Sequence, residues 1–271
     1  MEKQLKIYIT IPGHRYAGLM SYFMQAVANL YVVYNTQDKL YIKFDENMRY
    51  QDFRYGKNVW DYYFDQPFNF IKEEVHSALK IKGVWFENNL SIPSRLTSEI
   101  RQKGNNIIKK YITLKSHIQE KIDKFLLDNK QPGEKILAVH KRGTDHITDA
   151  PILPTSVYFD NIDIYIESYD KLLLCTDEDY IIEEFKQRYG KKLIIYNSIR
   201  ATEKNNIGIH QSVGLLNPYK MGEDVIIETY LMAQADFLIK TVSNVSNSAL
   251  IINSELKYLE IDTTIDYNLI K

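Results

Sequence analysis

A group of polar side chains directly follows a short apolar run near the middle of the chain. The run, Ile136-Leu-Ala-Val139, is typical of a strand buried on both faces, and His140-Lys-Arg-Gly-Thr-Asp-His146 comes next. Ligands of open α/β sheets bind just beyond the carboxyl ends of strands. A guanidinium at Arg142 could grip a phosphate with two parallel hydrogen bonds, and Gly143 would let the backbone approach a ligand closely. The pattern predicts a loop that holds the diphosphate of a nucleotide-activated sugar.

Several side chains of this loop have an alternative, structural interpretation. Arg142 could instead form a surface or structural ion pair. Asp145 could orient Arg142, cap a helix or act as a general base, and His146 is a further candidate base. We favour an orienting role for Asp145.

The elements that position this loop follow from hydrophobic patterning. The first half indicates a strand, a glycine-containing loop, a helix and a strand, at residues 5–11, 12–18, 19–34 and 40–44. The second half continues with a helical pattern over 155–169 and a strand over 172–175. Thr176 and Asp177 then favour a helix cap, with the helix running to Tyr189 and stopping at Gly190. The remaining pattern predicts strands at 193–196, 237–240 and 256–261 and helices at 224–234 and 247–253.

Between these halves the sequence predicts one or two long helices over 94–130, broken near Gly104, and a boundary at 129–133. We therefore expect an α/β protein with two Rossmann-like domains, residues 1–132 and 133–271, that face each other across a cleft.

Two stretches of the first half could contribute to that cleft. His14, Arg15 and Gly18 could close over donor phosphates or the acceptor, or form an ordinary loop. The aromatic residues 58–64 could line an acceptor cleft, although a helix that docks on the core is the favoured interpretation.

Composition excludes several classes of protein. The formal net charge of -1 argues against general binding of nucleic acid or acidic membrane. One cysteine excludes a disulfide framework, and six scattered histidines show no metal-ligand spacing, so we expect neither a metal nor a cofactor. The amino-terminal residues read as a strand rather than a signal peptide, and no apolar run reaches the ~18–20 residues of a membrane span. We expect a soluble, cytoplasmic protein, and leave open a peripheral contact with the inner face of the membrane.

Three elements in order resemble the superfamily of α1,6-fucosyltransferases, the nodulation fucosyltransferase and protein O-fucosyltransferases. His140-Lys-Arg-Gly-Thr-Asp145 is similar to its H-x-R-x-x-D element, and Leu172-Leu-Leu-Cys-Thr-Asp-Glu178 to its strand followed by T-D-[DE]. Residues 224–244 resemble its helix, Q-A-D-F-L strand start and T-x-S-[SN] turn. The resemblance covers roughly residues 135–255, and the first half matches only in outline.

The resemblance implies a GT-B glycosyltransferase, inverting and metal-independent, that binds a GDP-sugar in its second half. Arg142 would bind the diphosphate and favour its departure, and His140 would lie beside the nucleoside unless it is a core histidine. Ser243 and Asn244 would bind phosphates or simply cap a helix, and Asp177 would lie in the donor cleft or cap a helix. Glu228 would lie near the guanine or ribose or be an exposed helix acid. Gly18 is also among the residues predicted to bind the donor.

Two departures from the family pattern affect the chemistry. Gly143 stands where the family often has a second Arg, so diphosphate binding would depend more on Ser243, Asn244 and backbone. Where the α1,6 branch has a Glu beyond the Asp, the nearest acid here is Asp149. The candidate catalytic residues are therefore Arg142, Asp149 and Asp145, with Asp149 as the leading base.

These observations predict a bacterial, cytoplasmic glycosyltransferase of polysaccharide biosynthesis, most specifically a fucosyltransferase that transfers fucose from GDP-fucose to a glycan or glycolipid acceptor. The alternatives are an enzyme of the same fold with another nucleotide sugar and a non-catalytic nucleotide-binding relative.

Overall fold

The chain forms two parallel sheets surrounded by helices. The computed structural model describes residues 5–11, 17–36, 38–46, 48–82, 96–143, 153–202 and 217–264. The first sheet has the order β2-β1-β3, with β1 at Lys6–Ile11, β2 at Lys39–Phe44 and β3 at Leu79–Lys82. The second has the order β6-β5-β4-β7-β8, with its strands at Ile136–Lys141 (β4), Lys171–Thr176 (β5), Leu193–Ile194 (β6), Phe237–Lys240 (β7) and Lys257–Glu260 (β8). The described strands therefore form the parallel α/β architecture that the sequence predicts.

The helices connect these strands and cover both faces of the second sheet. Their bounds are Leu19–Val33 (α1), Trp60–Tyr63 (α2), Lys72–Ser77 (α3), Ser98–Tyr111 (α4), Ser116–Asn129 (α5), Thr155–Tyr165 (α6), Ile182–Tyr189 (α7), Pro218–Ala233 (α8) and Asn244–Ile252 (α9). Among the described residues, no helix is long and apolar enough to cross a membrane.

The central strand β4 faces two separate cores because successive side chains of a strand point to opposite faces. Ile136 and Ala138 pack in the core that includes α8 and α9, whereas Leu137 and Val139 pack with α6 and α7. The alternation places His140 on the α8–α9 side of the sheet and Lys141 on the α6–α7 side.

The two halves share the larger of these cores, which joins apolar residues of α1, α2 and β2 to those of α8 and α9. Polar contacts reinforce the junction at the end of α9. Arg101 of α4 donates to the carbonyl oxygens of Leu250, Asn253 and Leu256, and Asn105 donates to those of Ile251 and Ile252. The last carbonyls of a helix have no partner within the helix, so α4 satisfies acceptors that would otherwise be buried without one.

Replacing Arg101 with Ala should lower the free energy of unfolding by about 2–3 kcal/mol, because hydrogen bonds to a charged group contribute about 1.5–3 kcal/mol and buried carbonyls would lose their donor. Arg101 is buried, whereas Lys103 of the same helix is half-exposed and pairs with the exposed Glu99. Lys103→Ala should therefore cost at most about 0.5 kcal/mol. Urea unfolding of both variants measures the difference, and equal costs would contradict the capping role.

Several predicted bounds of helices and strands differ from those in the structure. The break between α4 and α5 lies at residues 112–115, where the chain pairs with residues 63–65 as an antiparallel bridge, and Gly104 is buried within α4. Helix α8 begins at Pro218, with Asn217 as its cap, and not at residue 224 as predicted. Helix α9 begins three residues earlier than predicted, and strand β3 was not predicted at all.

The aromatic residues 58–64 belong to the core. Trp60 and Tyr63 have no exposed surface, and Phe64 is buried beside them. The favoured interpretation, in which this segment docks on the core rather than lining a cleft, therefore agrees with the structure.

Candidate functional site

The candidate site lies at the carboxyl ends of β4 and β5 and at the start of α9. Strand β4 runs two residues further than predicted, so His140 and Lys141 are its last residues and not part of a loop. His140 pairs in register with Cys175 of β5 and with Lys240 of β7. The polar segments after these three adjacent strands therefore meet at one edge of the sheet.

His140 is a buried imidazole with unfulfilled hydrogen-bonding capacity. Its side chain is 7% exposed, and its Nδ1 has no hydrogen-bond partner within the described part of the chain. Burial, together with the positive charges of Arg142 and Lys240, lowers the pKa of His140 to about 3. The ring is therefore neutral at physiological pH, and the interpretation as a fully satisfied core histidine does not fit. An unpartnered buried nitrogen at a strand end can hydrogen-bond to a ligand.

Arg142 is half-buried directly after the strand, and Gly143 is held next to it. The backbone N–H of Gly143 donates to Asp177 Oδ1 over 3.0 Å. Asp177 therefore fixes the loop after β4, and it is not a helix cap, because α7 begins only at Ile182. The prediction of a cap at Thr176 and Asp177 is wrong because β5 includes Thr176. The turn after β5 accepts a hydrogen bond from the segment that follows the neighbouring strand β4.

A buried ion pair lies beneath Gly143. Lys141 Nζ contacts Glu178 Oε2, and each side chain is only 3% exposed. The hydroxyl of Tyr180 donates to the other carboxylate oxygen of Glu178. A Cβ atom at position 143 would lie 1.8 Å from Glu178 Cδ.

The hydroxyl of the buried Tyr158 lies between two parts of the site. It is near the backbone of Arg142 and the side chain of Thr241, in the turn between β7 and α9. The Lys141 ammonium lies 5.7 Å from the centre of the same ring. Tyr158 is therefore placed between the segment after β4 and the start of α9.

Glu228 is buried and paired, so the exposed-acid interpretation is wrong. Its carboxylate lies 3.2 Å from the guanidinium of Arg200 and accepts a hydrogen bond from the Ser198 hydroxyl. Burial raises the pKa of Glu228 to about 7, against the lowering effect of Arg200 and Ser198. Arg200 also donates to the carbonyl oxygens of Thr176, Tyr196 and Ser198.

Three of the predicted donor-binding residues, Gly18, Ser243 and Asn244, lie at the amino termini of α1 and α9. Ser243 caps α9, since its hydroxyl accepts from the N–H of Val245 over 3.2 Å, and Asn244 is the first helical residue. Ser243 therefore caps α9, and its contact with a phosphate stays a prediction. Gly18 precedes α1 without any side-chain cap. The start of α1 lies beside α8, because Leu19 is one of the side chains that a Cβ at Gly222 would contact.

The structure brings together His140, Arg142, Gly143 and Asp177, and Tyr158 lies near both Arg142 and Thr241, which is two residues before Ser243. Glu228 approaches the β5 end through Arg200. Asp145, His146, Asp149, His14 and Arg15 lie outside the described residues. Sequence reasoning assigned no role in the site to Lys141, Glu178, Tyr158 or Arg200, although Glu178 ends one of the quoted motifs. In the described ranges no three His, Cys, Asp or Glu side chains gather as a metal site would require.

Comparison with known proteins finds similarity in fold. No protein-family model and no curated protein matches the sequence. The structure of NodZ α1,6-fucosyltransferase soaked with GDP-fucose is similar with a TM-score of 0.58 and 16% identity, over 97% of this chain and 96% of that chain. FUT1 of Arabidopsis thaliana, in an R284K mutant in complex with GDP, has a TM-score of 0.59 and 9% identity over 98% of this chain and 72% of its own. POFUT1 in complex with GDP has a TM-score of 0.55 and 13% identity over 96% and 99%.

Structural similarity at identities this low shows a shared fold. It does not show a shared activity, which has to be argued from the chemistry of the site. The first resemblance rested on motifs in the second half, and the structural similarity extends over nearly the whole chain, including the half that matched only in outline. The chain has the GT-B fold of the fucosyltransferases.

Proposed function

We propose that the chain is an inverting, metal-independent glycosyltransferase, most specifically a fucosyltransferase that transfers fucose from GDP-fucose to a glycan hydroxyl. The observation that carries the proposal is the grouping at the end of β4. There the Nδ1 of a neutral, buried imidazole has no hydrogen-bond partner among the described residues, and a guanidinium follows two residues later. Among the structures that share the fold, FUT1 and POFUT1 are complexes with GDP, and the NodZ protein was soaked with GDP-fucose.

The site supplies the positive and hydrogen-bonding groups that a departing diphosphate needs. Arg142 would donate to the phosphate oxygens as negative charge develops on them, and the N–H groups at the start of α9, with Ser243 and Asn244, would stabilise the same charge. Gly18 and the uncapped start of α1 would contribute from the other half. No step of this chemistry requires a divalent ion.

The nucleoside would lie along the α8 side of the site. His140 would hydrogen-bond to it through Nδ1, the ring nitrogen for which the described part of the chain offers no partner. Glu228, held by Arg200 and Ser198, would accept from donors of the guanine base or ribose, since an ionised carboxylate offers only acceptors. Asp177 contributes indirectly by holding Gly143.

The proton of the acceptor hydroxyl needs a base, for which Asp149 is the first candidate and Asp145 the second. His140 does not fit this role in the ligand-free state, because its pKa of about 3 makes it a weak proton acceptor. We further propose a cytoplasmic site of action, at the inner face of the membrane or free of it, in bacterial polysaccharide biosynthesis with a glycan or glycolipid acceptor.

Thermal unfolding with GDP, UDP and ADP tests the donor class. A ligand that binds only the native state stabilises it by RT ln(1 + [L]/Kd), so GDP should raise Tm in a concentration-dependent way and UDP and ADP should not. Release of fucose from GDP-fucose, with and without glycan acceptors, then tests transfer. The absence of any shift with millimolar GDP would contradict the proposal. Equal shifts with UDP would favour a different nucleotide sugar, and binding without turnover would favour a non-catalytic relative.

A further inference from the structure

The ion pair between Lys141 and Glu178 is buried where its desolvation is costly. Both side chains are 3% exposed, on the α6–α7 side of the sheet, opposite to the side where His140 lies. Buried ion pairs of this kind are weak contributors to stability and are often no better than apolar packing. The pair therefore calls for an explanation other than stability alone.

The position of the Glu178 carboxylate supplies that explanation. The space next to Gly143 is filled by the carboxylate, whose three atoms would lie 1.8–2.2 Å from any Cβ at that position. Two contacts fix the carboxylate there: Lys141, from the strand that precedes Gly143, pairs with one oxygen, and the Tyr180 hydroxyl donates to the other. The backbone N–H of Glu178 donates to the hydroxyl oxygen of Thr176, which also restrains this turn. Gly143 has no positive φ that would require a glycine.

The neighbouring residue Asp177 holds the same backbone from the other direction. Its Oδ1 accepts the N–H of Gly143, so the segment after β4 is clamped between the two consecutive acids of the β5 turn. Arg142 is the residue directly before this clamp, and its backbone lies near the hydroxyl of the buried Tyr158. Fixing the backbone on both sides of Arg142 limits the directions that its guanidinium can take.

We propose that Lys141 and Glu178 are positioning residues of a diphosphate site with a single arginine in this loop. The Glu178 carboxylate, held by Lys141, occupies the volume that a side chain at position 143 would need, and it thereby sets the backbone from which Arg142 reaches its ligand. Gly143 is required by Glu178 and not by the close approach of a ligand, which is the role that the sequence alone suggested. The part that concerns the ligand rests on the proposed function.

A double-mutant cycle separates these two roles of Gly143. Gly143→Ala is made in the parent and in a Lys141→Met/Glu178→Ala background, where the carboxylate is gone and no buried ammonium is left unpaired. In the parent, Gly143→Ala should weaken GDP binding at least ~10-fold and lower Tm by at least ~5 °C, because the carboxylate must leave Lys141. In the background, the added methyl group fits the vacated space, and the same change should alter the Kd for GDP less than ~3-fold.

The background itself provides a readout that a purely structural pair would not move. Its Tm should stay within a few degrees of the parent, while its Kd for GDP should rise at least ~5-fold, since the arginine is no longer held in place. Isothermal titration calorimetry at a temperature well below every Tm measures all four affinities. An unchanged affinity in the background would overturn the positioning role.

Each remaining outcome of the cycle is also decisive. If Gly143→Ala weakens GDP binding equally in both proteins, the glycine serves ligand approach and the inference is wrong. If the single variant fails to fold and the background restores folding and GDP binding, the inference is supported; failure to fold in both overturns it. Should the parent itself not bind GDP, the proposed function fails, and the Tm values alone decide whether Glu178 dictates the glycine.

Discussion

Arg142→Ala should abolish measurable GDP binding in the micromolar range and reduce transfer at least ~100-fold. A guanidinium that grips a phosphate makes at least two charge-assisted hydrogen bonds of about 1.5–3 kcal/mol each, and about 3 kcal/mol corresponds to roughly two decades in Kd. The same residue should affect the chemical step, because charge on the diphosphate grows in the transition state. We therefore expect kcat to fall by more than the KM for the donor rises.

Two variants show whether the geometry of the guanidinium or only its charge is needed. Arg142→Lys keeps a positive charge but loses the planar fork, so it should recover less than about a tenth of the lost affinity. Arg188→Ala is the matched control, because Arg188 pairs with Asp163 between α6 and α7, where both side chains are partly exposed. Its effect on GDP binding should be negligible. An Arg142→Ala protein whose Kd stays within threefold of the parent would remove Arg142 from the site.

The sheet that carries Arg142 could be predicted well because its strands are buried on both faces. Continuous apolar runs mark β4, β5 and β7, and alternation along β2 marks a strand covered on one face. Strand β3 escaped prediction because it is a short edge strand whose Leu79 and Ile81 remain exposed. No local pattern distinguishes such a strand from a loop, since its partner β1 lies about 70 residues away in sequence.

The candidate site residues could be predicted where they follow a strand end, and could not be predicted where their position depends on distant partners. His140, Arg142 and Asp177 follow predicted strands, and the structure brings them together. Arg200 bonds to Thr176 and Glu228, which are 24 and 28 residues away, and it lies in an irregular segment. A charged residue destined for burial looks the same in a sequence as a solvated one, so neither its pairing with Glu228 nor that of Lys141 with Glu178 could be predicted.

The same limitation explains why the contacts of Asp177 and Gly143 could not be predicted. Asp177 has the residue type and spacing of a helix cap. Its carboxylate instead accepts a hydrogen bond from the N–H of Gly143, which follows the neighbouring strand. Gly143 suggested room for a ligand, whereas the room is filled by Glu178. In both cases a contact across adjacent parallel strands decides the role, and such contacts depend on register, which a single sequence does not reveal.

Glu228→Gln should remove a pH-dependent contribution of roughly 3 kcal/mol from the free energy of unfolding. The pKa of Glu228 is about 7 in the folded protein, against an ordinary value of 4.5 for the unfolded chain. Between these values the folded state binds the proton and the unfolded state does not, so this group makes the free energy of unfolding fall as pH rises from about 4.5 to about 7. Glutamine does not titrate, and the variant should lose that part of the slope.

Urea unfolding of parent and variant at pH 5, 6, 7 and 8 measures the difference between the two slopes. Other groups, such as Asp224, titrate in both proteins and cancel in this comparison, at least where their coupling to Glu228 is small. Glu183→Gln is the control, because Glu183 lies on α7 with its side chain 67% exposed. The control should follow the parent at every pH. A Glu228→Gln profile parallel to that of the parent would contradict the raised pKa of Glu228.

The same titration should appear in ligand binding if Glu228 accepts from the nucleoside. A protonated carboxyl group loses acceptor capacity, so the affinity for GDP should increase as pH rises through about 7 in the parent and change less in Glu228→Gln. Titration of the terminal phosphate is common to both proteins and does not affect the difference. The stability slope and the binding slope are independent readouts. If only the stability slope changes, Glu228 is a structural partner of Arg200 and the nucleoside contact must be assigned elsewhere. If both change, the buried acid that holds Arg200 in place also binds the nucleoside.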